Sequence, residues 1–341
     1  MSYTIKPKLI NINDWSDQDV NPWTQSLNFK WAIRPWAEDP KYLLIVKDNE
    51  FIIIDKYGNK VLEKSVDYTI ENAHINNNGD VITKSGANVK IYDITGEEIY
   101  SITMTDNVKG VCIGKNYAWW TVADVTVRCL DLSTFIYQTF SVPVNANWGG
   151  VHCSENGDIC TVHGRISSSP YTGKVAFYDP SGKIAEINIV DSADNYVGVL
   201  KPDGTVAVSR YIKFYNGARG IALVRNDGSK ATLSFVSSGS GSPRVVASLN
   251  LDRIVVWESS YSKFWKILAD IDAMKLTLQE EVVTDAPPEK YVVTDMSPDG
   301  KYFAYPLSDK LLIYDFDTNL VKKEIPKLSG PTVYRMLFVE V

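Results

Sequence analysis

The sequence predicts an all-β fold, a seven-bladed β-propeller of four-stranded antiparallel blades, and three recurrences along its 341 residues predict it. The first is an apolar run that ends in an acidic residue and a short turn. It reads FIIIDKYG (51–58), VKIYDITG (89–96), VTVRCLDLST (125–134), KVAFYDPSG (174–182), GIALVRNDG (220–228), FWKILADIDA (264–273) and KLLIYDFDT (310–318). The run ends are Asp55, Asp93, Asp131, Asp179, Arg225, Asp270 and Asp315, spaced by 38, 38, 48, 46, 45 and 45 residues, with Arg225 breaking the acidic rule. A period of roughly 40–45 residues made of strand-like units is that of propeller blades.

The second recurrence is a polar turn between two apolar runs, as in INNNGDVIT (75–83), CSENGDICT (153–161), VLKPDGTVAV (199–208) and DMSPDGKYFAY (295–305). Asn-Gly and Asp-Gly supply the positive φ that tight hairpins need, so these turns join the first and second strands of a blade. Weaker forms stand at 37–44, 113–119 and 248–254, giving every unit one. The third recurrence is a short outer strand after the acidic turn, for example EEIYSITM (97–104), KIAEINIV (183–190) and LVKKEIPK (320–327). The acids themselves read as turn stabilisers that accept hydrogen bonds from the next backbone N–H groups. DFDTN (315–319) lacks the glycine and terminal glutamate of a calcium loop.

With Ser-Pro-Asp-Gly-Lys at 297–301 and Ile-Tyr-Asp at 91–93 and 313–315, the chain resembles the WD40 and YVTN-type propeller superfamily over about residues 40–341. The resemblance implies the fold alone. No Trp-Asp pair ends a third strand and no Gly-His pair opens a blade, so the hydrogen-bonded tetrad of strict WD40 repeats is not implied.

Two segments compete for the innermost strand of the first blade, FKWAIRPW (29–36) and TVYRMLFVEV (332–341). Pro35 cannot donate a ladder bond, which favours closure of the ring by the C-terminal strand. Residues 1–36 are then an N-terminal extension carrying Trp15, Trp23, Trp31 and Trp36, and residues 37–341 are the propeller. Each indole buries on the order of 150–250 Å², so the arm is expected to pack on the propeller or on a neighbouring subunit.

Composition narrows function mainly by exclusion. The chain lacks an 18-residue apolar run and a signal-peptide layout, predicting no membrane span and a cytoplasmic or virus-particle-associated protein. A net charge of −6 gives no overall footprint for nucleic acid. Four cysteines are too few for a disulfide framework and read as buried free thiols; whether Cys153 and Cys160 face each other depends on the length of their turn. HExxH, Walker A, GxSxG and CxxC motifs are missing and there are three histidines, so no catalytic, metal or cofactor site is predicted.

Two candidate sites remain. The segments between second and third strands are longest in units four to six: VHGRISSSPYTGK (162–174), SRYIKFYNGARG (209–220) and WESSYSKFW (257–265). They belong to consecutive blades and share a face, offering Arg165, Tyr171, Arg210, Tyr211, Lys213, Tyr215, Arg219, Trp257, Tyr261 and Lys263, a mixture typical of interface hot spots. The ordinary alternative is that some of these aromatics point inward as strand ends and the charges are merely solvated. The second candidate lines the channel, where alignment on the turns places His74, Val111, His152, Val199, Val246, Asp295 and Arg335 at one register. Asp295 and Arg335 would neighbour each other and could pair, and propellers often satisfy such channel groups internally.

The reading is therefore a non-catalytic module that binds a protein through the long-loop face, within a larger assembly such as a cellular scaffold or virus particle. The alternative is a small-molecule or glycan site at the channel mouth, lactonase- or lyase-like, using His74, His152, Asp295 and Arg335.

Overall fold

The computed structural model describes residues 4–5, 8–11, 17–19, 31–33, 37, 39–123, 126–142, 150–166, 172–189, 192–214, 219–236, 244–258, 261–288, 295–326, 332–333 and 336–339. The chain is a seven-bladed β-propeller. From the innermost strand outward, blade one is Trp31–Ile33, Tyr42–Val46, Glu50–Asp55 and Lys60–Ser65, and blade two is Asn72–Ile75, Val81–Ser85, Asn88–Tyr92 and Glu98–Thr103. Blade three is Val108–Ile113, Tyr117–Val122, Thr126–Asp131 and Tyr137–Ser141; blade four is Gly150–Cys153, Cys160–Ile166, Thr172–Asp179 and Gly182–Ile189. Blade five is Ser192–Leu200, Val206–Phe214, Arg219–Arg225 and Lys230–Val236; blade six is Arg244–Ala247, Arg253–Trp257, Lys263–Asp270 and Lys275–Val283. Blade seven pairs Tyr302–Pro306, Lys310–Asp315 and Val321–Pro326, with a bridge from Met296 to Phe303 at its inner position among the described residues.

The core is radial. Among the described residues, one apolar cluster lies between each pair of successive blades from one to seven; Leu44, Phe51 and Ile53 meet Ile75 and Val81, and Trp257 and Phe264 meet Phe303 and Tyr305. Second and third strands are covered on both faces, which is why they read as continuous apolar runs rather than alternating ones. Outer strands alternate, as in Lys60–Ser65, because one face meets water.

The ring begins differently from the expectation. Trp31–Ile33, inside the segment read as an extension, pairs antiparallel with Leu44–Val46 and is the innermost strand of blade one. It ends two residues before Pro35, so the proline never needs to donate to the ladder. The C-terminal Met336–Val339 instead runs parallel to Lys8–Asn11, which pairs with Asp17–Asp19, and Thr332–Val333 pairs with Thr4–Ile5. The two ends of the chain hold each other.

The acidic ruler acts as read. Asp55 Oδ1 accepts from the N–H groups of Tyr57 and Asn59, Asp93 from Thr95 and Glu97, and Asp179 from Ser181 and Gly182. Where the acid is lost, Arg225 reaches across to the carbonyl of Ile271 on blade six.

The turns between first and second strands are bonded to one another. Asn77 Nδ2 donates to Asp39 O (2.9 Å), Asn76 Nδ2 to Gly114 O (2.9 Å), Asn116 N to Asn156 O (2.8 Å), Glu155 N to Pro202 O (2.8 Å) and Leu249 N to Pro298 O (3.0 Å). Trp119 Nε1 adds a 2.7 Å bond to Gly157 O. This face is a hydrogen-bonded belt.

Candidate functional site

Antiparallel blades place the second-to-third-strand connections on the face opposite the belt. There the strands of blades four and five run long: Cys160–Ile166 and Thr172–Asp179 stay paired out to Ile166 with Thr172, and Val206–Phe214 and Arg219–Arg225 out to Lys213 with Arg219. Equivalent strands of blades two and three have five or six residues. Much of what the sequence presents as loop is therefore ladder. Arg165, Arg210, Tyr211 and Lys213 sit on these extended strands, whereas Tyr171 and Tyr215 lie outside the described residues.

Two residues assigned to this surface are interior. Arg219 is 5% exposed, and its Nη1 lies 2.7 Å from Glu258 Oε1, joining blade five to blade six; Glu258 is 0% exposed. Trp257, 2% exposed, stands edge-on to Tyr305 in the layer between blades six and seven. Both lie at strand ends, where alternate side chains point between blades. Sequence reasoning also missed Glu258, whose one signal was an acid directly after the apolar run IVVW.

Tyr261 and Lys263 do reach the surface. Tyr261 packs edge-on against Trp265, and Lys263 Nζ lies 5.3 Å and 5.2 Å from the two ring centroids and 2.8 Å from Glu281 Oε1. Glu281 also accepts from Trp265 Nε1 at 2.8 Å. The Lys263 hydrogen bond holds the Glu281 carboxyl below its ordinary range.

On the channel side, His74 and His152 occupy equivalent inner-strand positions, but blade three contributes Cys112 at that register, not Val111. The cause is a shorter turn: Gly114 N bonds to Tyr117 O, whereas Asn76 N bonds to Asp80 O. All three histidines of the chain lie on blades two and four; the His152 and His163 rings are 5.7 Å apart, and the charge of His152 acts on His74. Burial first, and His152 second, push the His74 pKa down to about 4, so its imidazole is neutral at pH 7. Asp295 Oδ1 accepts from the Met296 N–H, while Arg335 lies outside the described residues and so does the pair expected between them.

The four cysteines are free and buried, and they gather between blades three and four. Cys153 and Cys160 oppose each other across the ladder. Burial raises all four thiols, keeping them protonated and poor as nucleophiles or ligands. Among the described residues, no group of His, Cys, Asp and Glu is placed to hold a metal, and no helix is long and apolar enough to cross a membrane.

A family of unknown function (DUF5711) matches residues 16–132, from within the N-terminal segment to just past the third strand of blade three. No curated protein matches. Solved structures share the fold: Kuenenia stuttgartiensis hydrazine synthase is 14% identical with a TM-score of 0.57, covering 96% of this chain and 97% of that one. The Cps50 (Swd1) β-propeller domain of Myceliophteria thermophila is 10% identical with a TM-score of 0.57, covering 82% and 94%. KlAtg21, in complex with the coiled coil of AgAtg16, is 10% identical with a TM-score of 0.62, covering 87% and 99%. At such identities the likeness speaks for the fold alone.

Proposed function

We propose that this propeller is a non-catalytic interaction module that binds a protein partner across the hairpin face of blades four to six, as a subunit of a larger assembly such as a scaffold or virus particle. The observation that carries the reading is the extension of paired strands beyond the length of their counterparts, out to Ile166 with Thr172 and Lys213 with Arg219. Extended hairpins give a paired platform, Tyr and Arg are enriched at interface hot spots, and Tyr loses little entropy on binding because it has only two χ angles. The opposite face engages its turns with one another. KlAtg21, which shares the fold, is itself found in complex with a coiled coil, an instance of a propeller that binds a protein.

The test is affinity capture from the native source with wild type beside a Tyr211→Ala, Lys213→Glu, Lys263→Glu variant of matched circular dichroism. A partner held by wild type and lost by the variant supports the reading; equal capture, or none, removes it. A second reading, a small-molecule or glycan site at the channel mouth, draws on the gathering of His74, His152 and His163. It requires His152→Ala to lose ligand binding in a metabolite and glycan screen at unchanged stability.

A further inference from the structure

We infer that the outer rim of the cleft between blades two and three is a second docking site, one that takes an acidic segment of a partner protein presenting a carboxylate beside an apolar side chain. The starting point is an interrupted pattern of ion pairs. Third-strand lysines pair with a glutamate of their own outer strand in blade two (Lys90 with Glu98, 2.8 Å), blade six (Lys266 with Glu280, 3.0 Å) and blade seven (Lys310 with Glu324, 2.9 Å), and so do Lys174 and Glu186 of blade four. Blade three carries Arg128 on its third strand, but its outer strand, Tyr137–Ser141, reads YQTFS and places Thr139 opposite the arginine. Among the described residues Arg128 has no ion-pair partner, and its Nε–H is buried without an acceptor. Its cross-strand neighbour Trp120, 0% exposed, likewise holds a buried indole N–H with no acceptor. Two donors and a cation thus share one side of the sheet with no anion of their own among the described residues.

The same place exposes apolar surface. Phe135, Ile136 and Tyr137 are 41%, 68% and 39% exposed, a run of three large side chains facing water. Phe135 holds φ of 56°, the left-handed region that disfavours bulky residues, at a turn position that blade seven fills with Asn319 at 59°. The Phe135 ring stacks on Tyr100 of blade two at 5.9 Å and 10°, Trp120 lies between Tyr100 (6.4 Å) and Tyr137 (6.2 Å), and the Arg128 guanidinium covers Tyr137 at 5.0 Å. Burial first, and Tyr137 second, raise the Tyr100 hydroxyl above its ordinary range, while Arg128 opposes them. An arginine held over an aromatic ring can still offer its fork to a carboxylate, and an apolar side chain next to that carboxylate would cover Ile136.

The test is selection of a phage-displayed random dodecapeptide library on the full-length protein, followed by anisotropy titration of the enriched peptides, fluorescein-labelled, on wild type and variants. The expected result is a consensus of Asp or Glu beside Leu, Ile or Phe whose affinity falls about tenfold or more in Arg128→Gln and in Ile136→Ser, as for hot-spot truncation, and persists in Tyr211→Ala, Lys213→Glu. Arg128→Lys should retain part of the affinity. If Arg128→Gln fails to fold, the exposed Ile136→Ser decides alone. Failure to enrich peptides, a consensus without an acid, or binding indifferent to Arg128 and Ile136 overturns the inference. Binding lost only in the Tyr211 and Lys213 variant also overturns it and leaves the hairpin-face reading standing.

Discussion

The Arg219–Glu258 pair offers the sharpest test of how blades five and six are joined. The side chains are 7% and 1% exposed and 2.7 Å apart, so neither charge can be rehydrated if the other is removed. Breaking a buried pair from one side costs about 3–5 kcal/mol because the remaining charge stays out of water. Arg219→Met and Glu258→Leu should therefore each destabilise by that amount. Replacing both with apolar residues of similar volume removes the two desolvation costs together, and the double variant should lie within about 1 kcal/mol of wild type.

Urea unfolding followed by tryptophan fluorescence reads this directly. With an m-value of about 3 kcal/mol/M, each single variant moves the midpoint down by about 1 M or more, and the double variant recovers most of the loss. Single shifts below about 0.3 M would mean that water reaches the pair. A double variant as unstable as the worse single would mean that other contacts, not the pairing, hold these side chains.

Three further outcomes follow from the geometry. Gly157 has φ of +82°, and a Cβ there would sit 2.5 Å from the Tyr117 carbonyl oxygen, so Gly157→Ala should cost at least about 2 kcal/mol in urea unfolding; a neutral result would show that the turn belt can yield. His74 has its pKa lowered to about 4, so the unfolded chain binds the extra proton between that value and 6.5. Its contribution is complete above pH 6.5 and lost as pH falls toward 4, up to roughly 3 kcal/mol, and Tm measured against pH should flatten over this window in His74→Asn. Asp93, held below its ordinary range first by Thr95, stabilises above its unfolded pKa and less as pH falls through the folded one. Asp93→Asn, which keeps an acceptor for Thr95 and Glu97, should lose less stability at pH 7 than Asp93→Ala; equal losses would refute the turn role.

The fold was legible because its signals are local and repeated: the acidic turns, the Asn-Gly and Asp-Gly hairpins and the doubly buried strands all recur in sequence. What escaped was set by single residues. A turn shorter by one residue at Gly114 shifts blade three so that Cys112, not Val111, aligns with His74. A proline just beyond a three-residue strand looked like a veto on Trp31–Ile33 and was none. Arg219 and Trp257 have the composition of a surface, but which way a strand-end side chain points depends on register, and a shift of one residue reverses it. The gathering of four cysteines and three histidines is set by tertiary packing, which spacing along the chain does not encode.

The uneven ruler bears on the proposed function. Four antiparallel strands per blade put the first-to-second and third-to-fourth turns on one face, and the second-to-third and blade-to-blade connections on the other. The first-to-second turns are bonded to their neighbours, and an inserted residue there would break contacts such as Asn116 N to Asn156 O and Trp119 Nε1 to Gly157 O. The third-to-fourth turns are held tight by their own aspartates. Added length therefore has one face to go to. The spacing rises from 38 residues to 45–48 after Asp131, and the extra chain appears as the extended ladders of blades four and five and as longer connections between blades. Blades two and three complete their sheets without such residues, whose backbone is ordered at a cost of roughly 1–2 kcal/mol each. Under the proposed function, the paired extensions of two consecutive blades, four and five, on the face free of the turn belt, are where a partner would offset that cost.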